Sequence, residues 1–191
     1  MRTLQIGKRS GPENAQRRNP LDETMKARIE CGKGAPGVRE AVRGLEKYVE
    51  STGLPRSLLH LVKMRASQMN GRTHCIDLHT VEAVTEGESP RRLMQLDAWR
   101  ESPFFTEKER AILPWTEAVT LVSPTHVPDA VYEETRRHFS DKELVNLTLA
   151  VVAINDWNRL AISFRIPPEA HWPRSGRATS SPMTADPLAH A

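Results

Sequence analysis

Apolar residues recur at steps of three and four from Gly37 to Phe164, and nowhere do they alternate convincingly with period two. That pattern points to helices and away from sheets, because a strand buries every second residue and a helix buries a stripe of period 3.6. Val38, Val42, Leu45 and Val49 form a first stripe, with Gly53 as its stop. After Pro55 come Leu58, Leu59, Leu61, Val62, Ala66 and Met69, apolar on more than one face, which marks a central, buried helix. Asn70-Gly71 interrupts, and Thr73 is placed to cap a helix from His74 to about Glu86. Thr106 with Glu109, and Ser140 with Glu143, match capping boxes. Pro114 predicts a kink or a broken start in the segment that Thr106 introduces. A short helix is expected near Pro128 to Phe139, and a long last one ends at Pro167-Pro168. The fold class is all-α, a multi-helix bundle.

The 191 residues suit one domain, with residues 1–36 as an extended arm, 37–167 as the helical body and 168–191 as a flexible Ser-, Pro- and Ala-rich tail. The net charge of +3 comes from the arm: Met1 to Arg28 holds seven Lys and Arg against three Asp and Glu, and the rest is nearly neutral. Without interleaved aromatics that arm reads as a solvated tail, so nucleic acid is not an expected partner. No uninterrupted apolar run approaches the roughly 18 residues of a membrane span, and the first thirty residues carry no apolar block of a secretory signal. Two cysteines, Cys31 and Cys75, exclude a disulfide-dense scaffold and make a reducing cytoplasm the expected setting. No glycine-rich phosphate loop or dinucleotide fingerprint is present, and no cofactor is expected.

Chemistry concentrates between Ser67 and His79. Cys75 falls in the first turn of the helix that Thr73 would cap, where unpaired N–H groups and the helix dipole favour a thiolate over a thiol. The expectation is a thiol pKa below the free value of about 8.5, lowered further by Arg72. His79 follows Cys75 by four residues, one turn along the same face, where an imidazole can exchange a proton with the sulfur. Against this stands the ordinary role of a lone cysteine, a small buried hydrophobe. His74 is expected to face solvent. Trp99, Trp115 and Trp157 read as core or subunit-contact aromatics, and Asn155, Asn158 and Arg159 as ties from the last helix to its neighbours.

Ser67-Gln68-Met69-Asn70-Gly71, followed by Cys75-Ile76-Asp77-Leu78-His79-Thr80, resembles the alkylhydroperoxidase D-like branch of the carboxymuconolactone decarboxylase family. Ala98-Trp99-Arg100-Glu101-Ser102-Pro103-Phe104-Phe105, Glu107-Lys108-Glu109-Arg110-Ala111, Trp115-Thr116-Glu117-Ala118, His126-Val127-Pro128-Asp129 and Asn155-Asp156-Trp157-Asn158-Arg159-Leu160-Ala161 extend the likeness over roughly Gly37 to Arg165. The resemblance implies an all-helical fold, assembly into homo-oligomers and thiol-dependent reduction of hydroperoxides. Catalytic members carry Cys-x-x-Cys, a Glu on the preceding helix and a trailing His. Cys75 corresponds to the second Cys, which attacks peroxide, and His79 to the trailing His. His74 matches a His found between the cysteines in some members. Arg72 replaces the first, resolving Cys, and His60 stands at the position of the Glu.

The implied activity is thus a weak or one-cysteine hydroperoxide reductase, with Cys75, His79, His74, His60 and Arg72 as site residues and a hydroperoxide and an external thiol reductant as partners. Cys31 lies in the irregular arm, and nothing in the sequence places it near Cys75. Two alternatives stand beside this reading: a catalytically silent oligomeric scaffold or regulatory homologue, and a metal site built from His60, His74, His79 and Cys75. The five-residue spacing of His74 and His79 puts them less cleanly on one face than a four-residue spacing, and no metal is expected.

Overall fold

A computed structural model describes residues 26–166. Over that span the chain forms α1 (Cys31–Gly34), α2 (Val38–Ser51), α3 (Arg56–Asn70), α4 (Thr73–Thr85), α5 (Pro90–Met94), α6 (Glu107–Thr120), α7 (Val122–Thr125), α8 (Asp129–Arg136) and α9 (Asp141–Ser163). No strand occurs among the described residues, and the molecule is all-α as its periodicity predicts. No helix is long and apolar enough to cross a membrane, again among the described residues. The tail from 168 onward and the first 25 residues of the arm lie outside them.

The sequence of α3 explains its place at the centre. Leu58, Leu59, Leu61, Val62, Met64 and Ala66 are all buried, so apolar surface points in several directions and needs a partner on each. The helix packs against α4, α6 and α9. On one side Leu58, Leu59 and Val62 meet Ile112 and Trp115 of α6 and Leu147 and Val151 of α9. On the other, Leu61 and Met64 meet Leu93, Leu96, Trp99 and Leu113. Each such buried side chain contributes about 1.5–3 kcal/mol of transfer free energy.

Both capping boxes form: Thr106 and Glu109 open α6, and Ser140 and Glu143 open α9. The break expected at Pro114 does not occur, and α6 runs from Glu107 to Thr120 through it. Proline deprives the carbonyl of Arg110 of its helical donor, but Ile112, Leu113, Trp115 and Ala118 around it are buried, and that packing holds the helix.

Asparagines bind the far end of α3 to α9. Asn70 Nδ2 donates to Asn155 Oδ1 at 2.9 Å, and Asn158 Nδ2 donates to Ser67 Oγ at 3.3 Å. Asn155 Nδ2 also donates to Thr120 Oγ1 at 3.1 Å, tying in α6. Asn155 and Asn158 thus make the ties expected of them, whereas Arg159 is exposed. These bonds fix the platform from which the α3–α4 turn projects.

Candidate active site at the start of α4

The turn between α3 and α4 is closed by Gly71, whose φ of 66° and ψ of 30° lie in the left-handed region. The N–H of Gly71 donates to the carbonyl of Gln68, and that of Arg72 to the carbonyl of Ser67, both at 3.0 Å. This pair of bonds ends α3 and starts α4 at once. Arg72, extended at φ −91°, occupies the cap position, and Thr73 is already the first helical residue. The expected Thr73 cap is therefore absent, because the turn is one residue tighter than Asn70-Gly71 alone suggests. Cys75 becomes the third residue of the helix, still within the turn whose N–H groups lack helical acceptors.

Cys75 is only 6% exposed and packs with Ala66 of α3 and Ile154 of α9. Burial pushes its thiol above the ordinary range; the charge of Arg72 and hydrogen bonding from its guanidinium pull it down, and Glu46 pushes it up. The net direction is upward, which corrects the expectation of a lowered pKa. Arg72 acts as expected, but the loss of water around the sulfur outweighs it.

His79, one turn further, is 4% exposed, and its Nδ1 lies 2.8 Å from Glu82 Oε2. The hydrogen bond from His79 is the main reason that the Glu82 carboxyl is held below its usual range. An ionised carboxylate only accepts, so Nδ1 carries the proton and a neutral ring keeps its lone pair on Nε2. Glu82 is a site residue that reasoning from the sequence missed. Its signal was a carboxylate three residues after His79 on one helical face.

Cys75, His79, Arg72 and His74 all line one cavity of about 220 Å³. His74 is half-buried rather than solvent-facing. Leu78, Ile154, Trp157 and Leu160 give the cavity apolar walls, while Arg39, Arg43 and Glu46 add charge from α2. Arg72 Nη2 donates to the carbonyl of Ile166 at 2.8 Å, and its Nε is buried without a hydrogen-bond partner. A buried N–H donor without a partner can bond an oxygen of a molecule that enters the cavity.

Cys31 also lines this cavity. No pattern in the sequence places it there, and the irregular backbone expected at Cys31 is instead the helical turn α1. Its approach is non-local: the N–H of Arg28 donates to the carbonyl of Phe164 at 2.8 Å, and Arg28 Nη1 donates to that of Ser163 at 3.0 Å, pinning the segment to the end of α9.

His60 is not among the cavity's lining residues. Its Nε2 donates to Glu86 Oε2 at 2.9 Å, and Arg56 pairs with the same carboxylate. Hydrogen bonds from Arg56 and then His60 hold the Glu86 carboxyl down, to about 2. Among the described residues no group of three or more His, Cys, Asp or Glu side chains is placed to hold a metal ion, so the four-residue metal site is not assembled. A second hollow of about 520 Å³, bounded by Tyr48, Val145, Leu149 and Val152, holds no thiol or imidazole.

Comparison with known proteins agrees with this geometry at the level of family and fold. The sequence model of the carboxymuconolactone decarboxylase family matches residues 36–118. YdfG, an uncharacterised protein of Bacillus subtilis (strain 168), is 37% identical over 139 residues, which is 73% of this chain and 95% of the relative. A crystal structure of a protein of unknown function from Agrobacterium tumefaciens, proposed to be the antioxidant defence protein AhpD, is 46% identical. It superposes with a TM-score of 0.71 over 73% of this chain and 96% of that one. The debrominase Bmp8 shares 24% identity and a TM-score of 0.65 over 73% of this chain and 74% of its own, a likeness of fold alone.

Proposed function

The chain belongs to the carboxymuconolactone decarboxylase family, and on that premise we propose that it is a thiol-dependent hydroperoxide reductase whose nucleophile is Cys75. The observation that carries the reading is the convergence of Cys75, His79 and Arg72 on one apolar-walled cavity, with the His79 ring fixed by Glu82.

His79 Nε2 takes the proton of Cys75, and the thiolate attacks the outer oxygen of a hydroperoxide. The O–O bond breaks, the sulfur is oxidised to a sulfenic acid, and the proton on His79 passes to the departing alkoxide, which leaves as an alcohol. Arg72 stabilises the anionic sulfur and offers its unpaired Nε–H to the peroxide. The apolar walls suit an organic hydroperoxide. Arg39 and Arg43, which form no ion pair among the described residues, suit one that bears a carboxylate. Two equivalents of a thiol then return the sulfenic acid to the thiol, releasing water and leaving the reductant as a disulfide.

The competing reading is a silent scaffold, and the elevated thiol pKa and 6% exposure of Cys75 are the observations that favour it. Loss of cumene hydroperoxide in the presence of a dithiol separates the two. The native protein should outpace Cys75→Ser by at least about a hundredfold, because removing the nucleophile forfeits the covalent route altogether. Equal rates would leave only the scaffold.

A further inference from the structure

A peroxidase that attacks with one thiol needs a second to release the oxygen, and in this chain the position three residues before Cys75 is an arginine. The chain has one other cysteine, Cys31, and it is among the residues that line the same cavity as Cys75. Both are free thiols. We propose that Cys31 is the resolving cysteine, so that the catalytic cycle passes through a Cys31–Cys75 disulfide within one chain. This rests on the hydroperoxide reductase reading and places Cys31 between the sulfenic acid and the external thiol, which then reduces a disulfide instead of the sulfenic acid itself.

Three observations support the pairing. Cys31 and Cys75 are both lining residues of one cavity of about 220 Å³. Arg28 anchors the segment just before Cys31 to the end of α9, the helix that supplies Ile154 beside Cys75. No residue of α1 is buried, so the short helix that carries Cys31 can shift without disturbing the core. That freedom matters because a disulfide requires Cα atoms within about 7 Å of each other. Cys75 is packed between Ala66 and Ile154, so the half of the pair with room to shift is α1.

The step balances without any further oxidant. Cys31, as its thiolate, attacks the sulfur of the Cys75 sulfenic acid. An S–S bond forms, the S–O bond breaks, and the departing hydroxide takes up the proton released by Cys31 to leave as water. An external dithiol, the reductant class already named, then reduces the disulfide to two thiols and is itself oxidised to a disulfide.

The test uses the full chain, fully reduced, in two arms: one equivalent of cumene hydroperoxide, and one equivalent of diamide, which oxidises thiol pairs without peroxide chemistry. After alkylation of remaining thiols, peptides are mapped without reduction. A Cys31–Cys75 cross-link at monomer mass in both arms supports the proposal. In Cys31→Ser, treated with peroxide, the cross-link gives way to a Cys75 sulfenic acid that a 1,3-dione probe labels, at least tenfold above the native protein. Peroxide that yields the sulfenic acid but no cross-link in the native chain, with none under diamide, overturns the role of Cys31 and leaves the peroxidase reading standing. A cross-link under diamide with Cys75 untouched by peroxide overturns the peroxidase reading and the proposed cycle with it, while the proximity of the two thiols survives. Cross-links only between chains overturn the proposal.

Discussion

Packing Cys75 between Ala66 and Ile154 removes the water that would solvate a thiolate, so its proton is held more tightly than on an exposed thiol. Arg72 works against that penalty from the cap position of the same helix. Three residues before Cys75 this chain has a fixed positive charge that favours the anion of the thiol. Removing that charge while keeping its bulk, as in Arg72→Met, should raise the titration midpoint of Cys75 still further. The rate of alkylation by iodoacetamide at neutral pH should fall accordingly, because only the thiolate reacts. Arg72→Lys keeps a cation and should recover part of the loss. A midpoint that stays in place in Arg72→Met would show that the guanidinium does not act on the sulfur. A midpoint that drops in both variants would mean that loss of the Ile166 contact had opened the cavity to water.

The α3–α4 junction is the element on which the site depends, since Gly71 sets both where α3 ends and how α4 presents Cys75. A Cβ at Gly71 would meet no heavy atom within 4 Å, so the cost of Gly71→Ala is purely conformational. Holding alanine at φ 66° costs about 1–2 kcal/mol. Urea unfolding should show a loss of that size with an unchanged slope, and a neutral outcome would mean that the turn relaxes to another geometry. Junctions of this kind were partly legible in the sequence. The capping boxes at Thr106 and Ser140 were fully so, because their donors and acceptors lie within four residues of one another. Asn70-Gly71 announced a break but not its register, and so Thr73 was assigned a capping role that belongs to no side chain. His79 was found from its spacing to Cys75; Glu82 was overlooked although it follows the same rule. The elevated Cys75 pKa was out of reach, because it depends on Ile154, which lies on another helix. Cys31 was out of reach for the same reason, its position being set by bonds from Arg28 to Ser163 and Phe164.

Across the whole molecule, Glu117 joins parts of the chain that the apolar core alone would leave free to slide. Arg65 Nε of α3 donates to its Oε1 at 2.9 Å, and Trp99 Nε1 donates to the same oxygen at 2.8 Å. Arg100 Nη2 donates to Oε2 at 2.6 Å. Burial alone would push the Glu117 carboxyl up, but the hydrogen bonds from Arg100 and Trp99 and the charges of Arg65 and Arg100 together outweigh it and hold it below its usual range. The sign of the consequence follows by linkage. A carboxyl with a depressed folded-state pKa contributes stability that is fully present above the unfolded-state value of about 4.3 and is lost as pH falls through the folded-state value. Glu117→Gln keeps the shape, forfeits the charge and leaves the half-buried Arg65 with the exposed Asp97 as its remaining carboxylate partner. It should destabilise the fold by about 1.5–3 kcal/mol at pH 7, the range for hydrogen bonds to a charged group. The gap between the native protein and Glu117→Gln should narrow as pH drops below the ordinary carboxylate range, because the native carboxyl is then protonated too. Urea midpoints for the two proteins at pH 7, 4 and 3 measure that gap directly. A difference that stays constant over the series would assign Glu117 a packing role and remove the ion-pair account of how α3, α6 and the Trp99–Arg100 segment are held together.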